Sequence, residues 1–318
     1  MSAPYAATVV TGNDRVQRLA GGRPTLFALL GAACISPSAI LVQLANSGVA
    51  TTAFFRCLLA LPVLFTLAEV ERRRIGGRAL MLRARAFAAG LFLAGDLVMW
   101  NHAIADVGAG VATVLGNLQV LFVTFVAWIL WRERPSGRFL LMLPVVMAGV
   151  ALVAGLAGSG IHGAHPVAGI VYGVGTSASY ACFLIILRQT TAGRPHVAGP
   201  LADAIAGSAV GALLLGLAFG GLQFSMPWRT FGWLLLLAMS SQTIGWLLIT
   251  SSLPRLPAAI SSLLLLVQPI VALLLAYLVL SQQPSLLQLA GAALVCCGVL
   301  VASRAATAGA GEAVPPDG

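Results

Sequence analysis

The chain has 318 residues, of which 59% are hydrophobic and only 8% are charged, and its mean hydropathy is +0.97. Because a soluble globular domain carries about a quarter charged residues, this composition excludes an ordinary soluble domain. The net charge of +9 could suggest a nucleic-acid-binding protein, but the basic residues lie mostly in connections between apolar runs. We therefore predict a protein that crosses the membrane several times, with no nucleic-acid partner.

Ten apolar runs are long enough to span a bilayer, whose hydrocarbon core of about 30 Å takes about 20 residues per helix. They follow an N-terminal tail, residues 1–24, and precede residues 305–318, which are predicted to be a disordered tail. These runs, called segments 1 to 10, cover residues 25–44, 51–71, 86–105, 109–131, 138–156, 166–187, 198–219, 229–250, 256–280 and 285–303. The predicted fold class is an all-α polytopic membrane protein with ten transmembrane helices.

The arginines predict the topology. All 18 basic residues are arginines, and sixteen of them lie in the two tails or in alternate connections that share one side of the membrane. Arg229 alone lies on the other side, and Arg56 lies inside segment 2. Under the positive-inside rule, the arginine-rich side is cytoplasmic. We expect a multi-pass protein of the cytoplasmic (inner) membrane with both termini in the cytoplasm.

An internal repeat emerges when the chain is aligned with itself at an offset of 149 residues. Residues 117–150 then align without a gap to residues 266–299, and Gln119 meets Gln268. A shared Pro-Ser pair and a shared Gly-Val pair occur at the same offset. This alignment matches segments 4 and 5 with segments 9 and 10, so each repeat contains five segments.

The two predicted repeats cover residues 25–156 and 166–304. A repeat with an odd number of spans must insert upside down relative to its partner, so we predict two inverted five-helix repeats. Inverted repeats are typical of alternating-access transporters, whose substrate site lies near the bilayer midplane between the halves.

Three stretches carry a family resemblance: "FFRCLLALPVLF" in segment 2, "GVATVLGNLQVLFVTFVAWILWRERPS" across segments 4 and 5, and "PAAISSLLLLVQPIVALLLAYLVLSQQPSLLQLAGAALVCCGVLVAS" at the end. On these residues the chain resembles the drug/metabolite transporter superfamily, specifically its EamA-type exporters of ten helices in two five-helix repeats, over residues 25–304. The resemblance implies transport of amino acids, metabolites or toxic compounds, mostly outward. Gln282 stands where the family usually has the Glu that Glu133 supplies in the first repeat, so the resemblance does not carry a role for that acid into both halves.

Asp96 is the most unusual residue of the apolar runs. It lies about 15 Å into segment 3 by helical rise, near mid-membrane. A charge at the bilayer centre costs about 2.5–3.5 kcal/mol, so it normally faces the bundle interior or water. Asp96 is therefore either a proton-coupling or substrate-amine site, or a structural carboxyl bonded within the bundle. His102, near the outer end of the same segment, is either an interfacial polar residue or a proton relay.

Further polar and aromatic residues lie at a similar depth on other segments. They can hydrogen-bond or stack on an organic solute, although each could also bond between helices. The predicted substrate-binding residues are Asp96, Trp100, Asn117, Gln119, Tyr180, Gln242, Trp246 and Gln268. Pro269 frees a backbone carbonyl and is predicted to form a bend or gate. Arg56 either snorkels to the outer interface or contacts an anionic group of a substrate.

No cofactor, metal site or disulfide is predicted. The five cysteines lie within apolar segments without a CxxC motif, and His162 and His165 have HxxH spacing but no third ligand. Since the chain has no lysine, it has neither a P-loop nor a Schiff-base lysine, and the HExxH and GxSxG motifs are absent. An enzyme is therefore not expected.

The function favoured by the sequence is secondary active transport. We predict an exporter of a small polar or amphipathic organic solute, an amino acid or metabolite, with proton coupling through Asp96 or His102 as an option. The alternatives are an importer or flippase of a metabolite or lipid-linked solute, followed by a channel or intramembrane enzyme. The expected partners are the small-molecule substrate and the lipid bilayer, and the protein is a monomer or homodimer.

Overall fold

A computed structural model describes residues 23–107, 109–132, 135–153, 165–280 and 285–311. All regular elements within these ranges are helices. Six helical stretches are long and apolar enough to cross a membrane: Pro24–Val42, Val49–Ile75, Val114–Trp131, Pro166–Thr191, Ala198–Phe219 and Trp228–Arg255. Shorter apolar helices cover Gly137–Val153, Ala258–Ala272 and Leu286–Val301. An all-helical architecture with several membrane-spanning helices is thus confirmed, whereas the count of ten stays a prediction.

Six of the ten segments are continuous α-helices. Segments 2, 3, 5, 6, 7 and 10 are Val49–Ile75, Leu80–Val107, Gly137–Val153, Pro166–Thr191, Ala198–Phe219 and Leu286–Gly311. The last helix continues beyond residue 304 to Gly311, into the stretch 305–318 for which a disordered tail was expected. Alanine, the best helix former, is frequent in this stretch and favours the continuation.

The other four segments, 1, 4, 8 and 9, are interrupted, and we call them the broken wall. Segment 1 is Pro24–Ile35 and Ser38–Ala45, and segment 4 is Ala109–Asn117 and Gln119–Trp131. Segment 8 contains Trp228–Leu237, a π-helical stretch Ala238–Gly245, Trp246–Ser252 and a 3-10 turn Leu253–Arg255. Segment 9 contains Ala258–Leu264, a 3-10 turn Leu265–Val267 and Gln268–Leu280.

The interruptions have local physical causes. Pro37 and Pro269 lack the backbone N–H that would continue segments 1 and 9. Segment 4 has no proline at its break, but the Ser177 hydroxyl of segment 6 donates to the carbonyl oxygens of Leu115 and Gly116, the second bond measuring 2.9 Å. A neighbouring side chain thus takes carbonyls that the helix would otherwise use.

Segments 2, 3, 6 and 7 pack closely together, and we call them the unbroken bundle. A Cβ atom added at Gly90 would overlap the backbone carbonyl oxygen of Ala204, and one added at Gly207 would overlap that of Phe87. The backbones of segments 3 and 7 are therefore in direct contact, as small residues permit between membrane helices. Segments 5 and 10 meet similarly, because a Cβ at Gly149 would lie 2.8 Å from the Gly291 oxygen.

The helix contacts follow a regular pattern between the two halves. Segment 2 packs on segment 7, segment 4 on segment 9, and segment 5 on segment 10. The contact of segment 3 with segment 6 has a counterpart in that of segment 8 with segment 1, and the contact of 3 with 7 has one in that of 8 with 2. Each of these contacts thus either joins equivalent segments or has a counterpart between the equivalent pair.

Buried ionic groups connect helices at the end of the molecule that carries Arg72, Arg188 and Arg255, which we call the arginine-rich end. The Glu71 carboxylate accepts hydrogen bonds from the backbone N–H groups of three residues at the start of segment 7, at 2.7, 3.2 and 2.7 Å: Val197, Ala198 and Gly199. Arg78 forms a buried ion pair with Asp203 at 2.7 Å. The Glu71 carboxylate thus accepts hydrogen bonds from backbone N–H groups that the N-terminus of a helix otherwise leaves unpaired.

Candidate functional site

A cavity of about 250 Å³ lies where the broken wall meets the unbroken bundle. It receives side chains from segments 1, 2, 3, 4, 6, 8 and 9. Its lining includes all nine residues that were predicted to bind substrate or to form a gate: Asp96, Trp100, Asn117, Gln119, Tyr180, Gln242, Trp246, Gln268 and Pro269. The structure therefore brings these separated sequence positions together, while their role in binding stays a prediction.

His102 is the one predicted residue that the structure places elsewhere. Its side chain is exposed and does not line the cavity. Its ring stacks on that of Tyr172, with the centroids 5.2 Å apart and the planes 29° from parallel. Of the two candidates for proton coupling, only Asp96 faces the cavity.

The helix interruptions lie at the cavity wall. Gln119 and Gln268, which are 149 residues apart, each begin the second half of a broken helix, and both line the cavity. Gln242 reaches the cavity from the π-helical stretch of segment 8. Interrupted membrane helices expose backbone polar groups and occur where the backbone lines a binding cavity. The four broken segments thus supply polar groups that continuous helices could not.

The cavity has one charged residue of each sign. Asp96 is 9% exposed and Arg56 is 7% exposed, and the two are close enough to interact electrostatically. The Arg56 Nη2 donates to the Ser241 hydroxyl and to the Gln242 Oε1, both at 3.1 Å. Arg56 is therefore held inside the protein by segment 8, rather than reaching the outer interface as one sequence interpretation allowed.

Two polar atoms at the cavity have no hydrogen-bond partner. They are the Arg56 Nε and the Gln119 Oε1, both buried. Other amides are engaged, because the Gln268 side chain bonds with the Tyr180 hydroxyl and the Gln242 Nε2 lies 3.4 Å from the Cys57 sulfur. Since buried polar atoms are rarely left unpaired, these two are candidates for contact with a bound solute.

An aromatic cluster forms the apolar part of the wall. The Trp246 ring packs edge-on against Phe183, with centroids 4.7 Å apart, and lies 6.0 Å from Tyr180. Such edge-to-face arrangements fix the ring orientations. Trp246 is only 3% exposed, so it offers an immobile apolar surface beside the polar groups.

Beyond the cavity, Arg188 joins the ends of several helices. Its guanidinium lies 4.6 Å from the centre of the Trp131 ring. It also donates to the carbonyl oxygens of Leu253, at 3.4 Å, and of Leu256, at 3.2 Å. Arg188 is about 12 Å further along segment 6 than Tyr180 by helical rise. The arginine-rich end of segments 4, 6, 8 and 9 is thus drawn together by one side chain.

Sequence reasoning missed several cavity residues, chiefly Ser36, Ser38 and Thr176. The two serines flank Pro37, and a Ser-Pro-Ser triplet inside an apolar run is a signal that could have found them. Thr176 carries no such signal.

Some expectations fall on residues that the structure does not describe: Glu133, Gln282 and His162 lie outside the described ranges. No group of three or more His, Cys, Asp or Glu side chains that could hold a metal occurs among the described residues. All five cysteines are free thiols.

Comparison with known proteins identifies the kind of molecule. The sequence profile of the EamA-like transporter family matches residues 23–155 and again residues 167–304. The search of curated proteins gave no match. A solved crystal structure, described only as that of a protein, superposes with a TM-score of 0.76 at 17% sequence identity, covering 89% of this chain and 99% of the other. At this identity the similarity concerns the fold alone.

Proposed function

Because the chain belongs to the EamA-like transporter family, within the drug/metabolite transporter superfamily, it is a membrane transporter, and we propose that it exports a small polar or amphipathic organic solute by alternating access. The resemblance drawn from the sequence is thereby confirmed at the level of the family. An amino acid or a related metabolite is the proposed cargo, and the cytoplasmic membrane is the proposed location.

The single observation that carries this proposal is the cavity that polar residues of both repeats share. Asp96 and Gln119 come from the first repeat, and Gln242 and Gln268 come from the second. A site at the junction of two repeats can open to either side when the halves move relative to each other. The volume of about 250 Å³ is slightly below the range of about 300–1,000 Å³ that is usual for drug-sized ligands, which favours a small solute.

Two further features support inverted repeats. The most extensive helix contacts, such as those of segments 2 with 7, 5 with 10 and 3 with 6, either join equivalent segments or have a counterpart between the equivalent pair, as a twofold relation between the halves predicts. The breaks of segments 4 and 9 fall at the same repeat position, immediately before Gln119 and Gln268. Both features are expected if the five-helix units face opposite sides of the membrane, as the odd number of segments implies.

We also propose that Asp96 couples transport to protons. Among the described residues it is the only acidic one that lines the cavity, and its near-complete burial at mid-helix is costly without a functional reason. A carboxyl that exchanges a proton while facing alternate sides of the membrane would link solute flux to the pH gradient.

Reconstitution in liposomes tests the proposal. Amino acids and drug-like organic cations are screened for flux, with and without an imposed pH gradient. We expect transport of one solute class that the gradient accelerates, and loss of this acceleration in Asp96→Asn. Asp106→Asn is the matched control, because Asp106 lies on the same helix but does not line the cavity.

Two results would count against the proposal. If Asp96→Asn keeps the full rate and an unchanged pH dependence, proton coupling at this residue is wrong. If the solute accumulates only on the cytoplasmic side of oriented vesicles, the protein is an importer rather than an exporter.

A further inference from the structure

Arg56 is buried at the cavity, and no carboxylate of the described residues lies within hydrogen-bonding distance of its guanidinium. Within the described ranges, the hydrogen bonds of its Nη2 go to the neutral side chains of Ser241 and Gln242. Hydroxyl and amide groups orient a guanidinium but do not remove its charge. A buried cation in a membrane protein is retained at a cost that suggests an anionic partner in direct contact, whereas among the described residues Asp96 interacts with Arg56 electrostatically without forming a hydrogen bond to it.

The hydrogen-bond geometry leaves part of this guanidinium free to bind. Ser241 and Gln242 lie in the π-helical stretch of segment 8, which brings both side chains to the same nitrogen. The Nε is buried and has no partner. Because the guanidinium is planar and held at one corner, its remaining donors have a fixed direction, and such donors match a carboxylate well.

Asp96 supplies the complementary charge on a different helix of the same cavity. Arg56 extends from segment 2 and Asp96 from segment 3, and they interact electrostatically across the cavity. A solute with only one charge would pair with one of these residues and leave the other uncompensated. A solute with both charges would satisfy the two together.

We infer that Arg56 is the specificity-determining residue of the cavity, and that it binds the carboxylate of a zwitterionic solute whose ammonium group pairs with Asp96. This inference rests on the proposed transport function and narrows its substrate class. Gln119, whose Oε1 is unpartnered, can accept a hydrogen bond from the same ammonium group. The aromatic cluster around Trp246 then faces the rest of the solute.

The test uses full-length protein in proteoliposomes and a matched series of competitors. Counterflow of a pool of labelled neutral amino acids first identifies the one that is transported best. The competitors are then that amino acid, its carboxamide, its decarboxylated amine and its deaminated acid. We expect the intact zwitterion to compete best, and each analogue that lacks one charged group to compete about ten- to a hundredfold less well, because each loses charge-assisted hydrogen bonds.

Variants of Arg56 assign this preference to the residue. Arg56→Gln should weaken competition by the zwitterion about ten- to a hundredfold, while competition by the amine changes much less. Arg56→Lys keeps the charge without the planar fork and should recover part of the loss. Arg229→Gln, the same change at an exposed arginine that does not line the cavity, is the matched control and should leave the order of the competitors unchanged.

The outcomes separate this inference from the proposed function. If organic cations alone or organic anions alone are transported, the zwitterion inference is wrong while transport by the cavity stands. If no solute of any class is transported, the proposed function fails and the inference falls with it. Since the competitor series is measured on the unaltered protein, a poorly folded Arg56→Gln variant does not prevent the test.

Discussion

The unbroken bundle and the broken wall differ in the kinds of contact that their helices make. In the bundle, continuous helices of segments 3 and 7 touch backbone to backbone at Gly90 and Gly207. In the wall, segments 4 and 9 interrupt their hydrogen bonding just before Gln119 and Gln268, and these residues face the cavity. The comparison teaches that the tightest helix crossing of the bundle, at Gly90 and Gly207, does not line the cavity, whereas the helix breaks of the wall do; the bundle contributes to the cavity at other positions, including Arg56 and Asp96. Substitutions in the two regions should therefore have separable effects.

The largest effect is expected where the bundle is tightest. In Gly90→Ala the new methyl group meets the backbone oxygen of Ala204, which cannot move aside as a flexible side chain would. Overpacking costs about 1–3 kcal/mol and sometimes more, and we expect the upper end here. The thermal unfolding midpoint in detergent measures it. Gly232→Ala is the control, because an added Cβ there meets no atom within 4 Å. Equal midpoints for the two variants would contradict the tight crossing.

A second stability effect is expected at the arginine-rich end of the bundle. Glu71→Gln replaces one accepting oxygen by an NH₂ group that faces the backbone donors of segment 7. Hydrogen bonds to charged groups contribute about 1.5–3 kcal/mol, so we expect a loss of that order. Urea or thermal unfolding measures the change. Glu69→Gln is the matched control: Glu69 lies two residues earlier, is partly exposed, and pairs with Arg72 and Arg73 of its own helix. A larger loss in the control would refute the capping role of Glu71.

The contact between bundle and wall at Arg188 should control access to the cavity. Trp131→Leu removes a cation–π interaction of about 0.5–2 kcal/mol, which corresponds to a two- to thirtyfold change in a conformational equilibrium. The measurement uses Ser38→Cys in a background without other cysteines. We expect a membrane-impermeant thiol reagent, added at the arginine-rich side, to label this cysteine faster when Trp131→Leu is also present.

Trp128→Leu is the control for this experiment, because Trp128 lies on the same helix but is half exposed on its outer surface. If the two variants label at the same rate, the Arg188 contact does not restrict access.

The smallest effect on stability is expected within the wall. Pro269→Ala restores a backbone N–H in the first turn of Gln268–Leu280, where proline is well tolerated, so the free energy of unfolding should change by less than about 1 kcal/mol. We nevertheless expect a slower transport rate, because a more continuous helix bends less easily at this position. Pro62→Ala, within the continuous helix of segment 2, is the matched proline control and should leave the rate unchanged. If transport is slower in Pro62→Ala and unchanged in Pro269→Ala, the role assigned to Pro269 is wrong.

The sequence could place polar residues at the depth of the cavity because depth along an apolar helix is simple to calculate, while their role in binding stays a prediction. Asp96 and Gln242 are polar residues at mid-segment, and polar side chains at that depth must turn inward. The alignment of Gln119 with Gln268 also anticipated two equivalent positions, which the structure places at two helix breaks.

What the sequence could not predict depends on contacts between distant segments. Arg56 could be assigned to the interface or to the interior on depth alone, and the decision comes from Ser241 and Gln242 on another repeat. The break in segment 4 depends on the Ser177 hydroxyl of segment 6. Neither contact leaves a periodic pattern in its own segment.

The duplicated glutamines affect the orientation in which a solute can bind. Gln119 and Gln268 present the same amide from equivalent places, so on their own they would accept a molecule equally well when it is turned end for end. The ionic groups do not share this duplication, since the positions 149 residues after Arg56 and Asp96 are Ile205 and Gly245. The two amides are therefore placed symmetrically, whereas Arg56 and Asp96 create an electric field with a single direction. That field would orient the dipole of a bound solute.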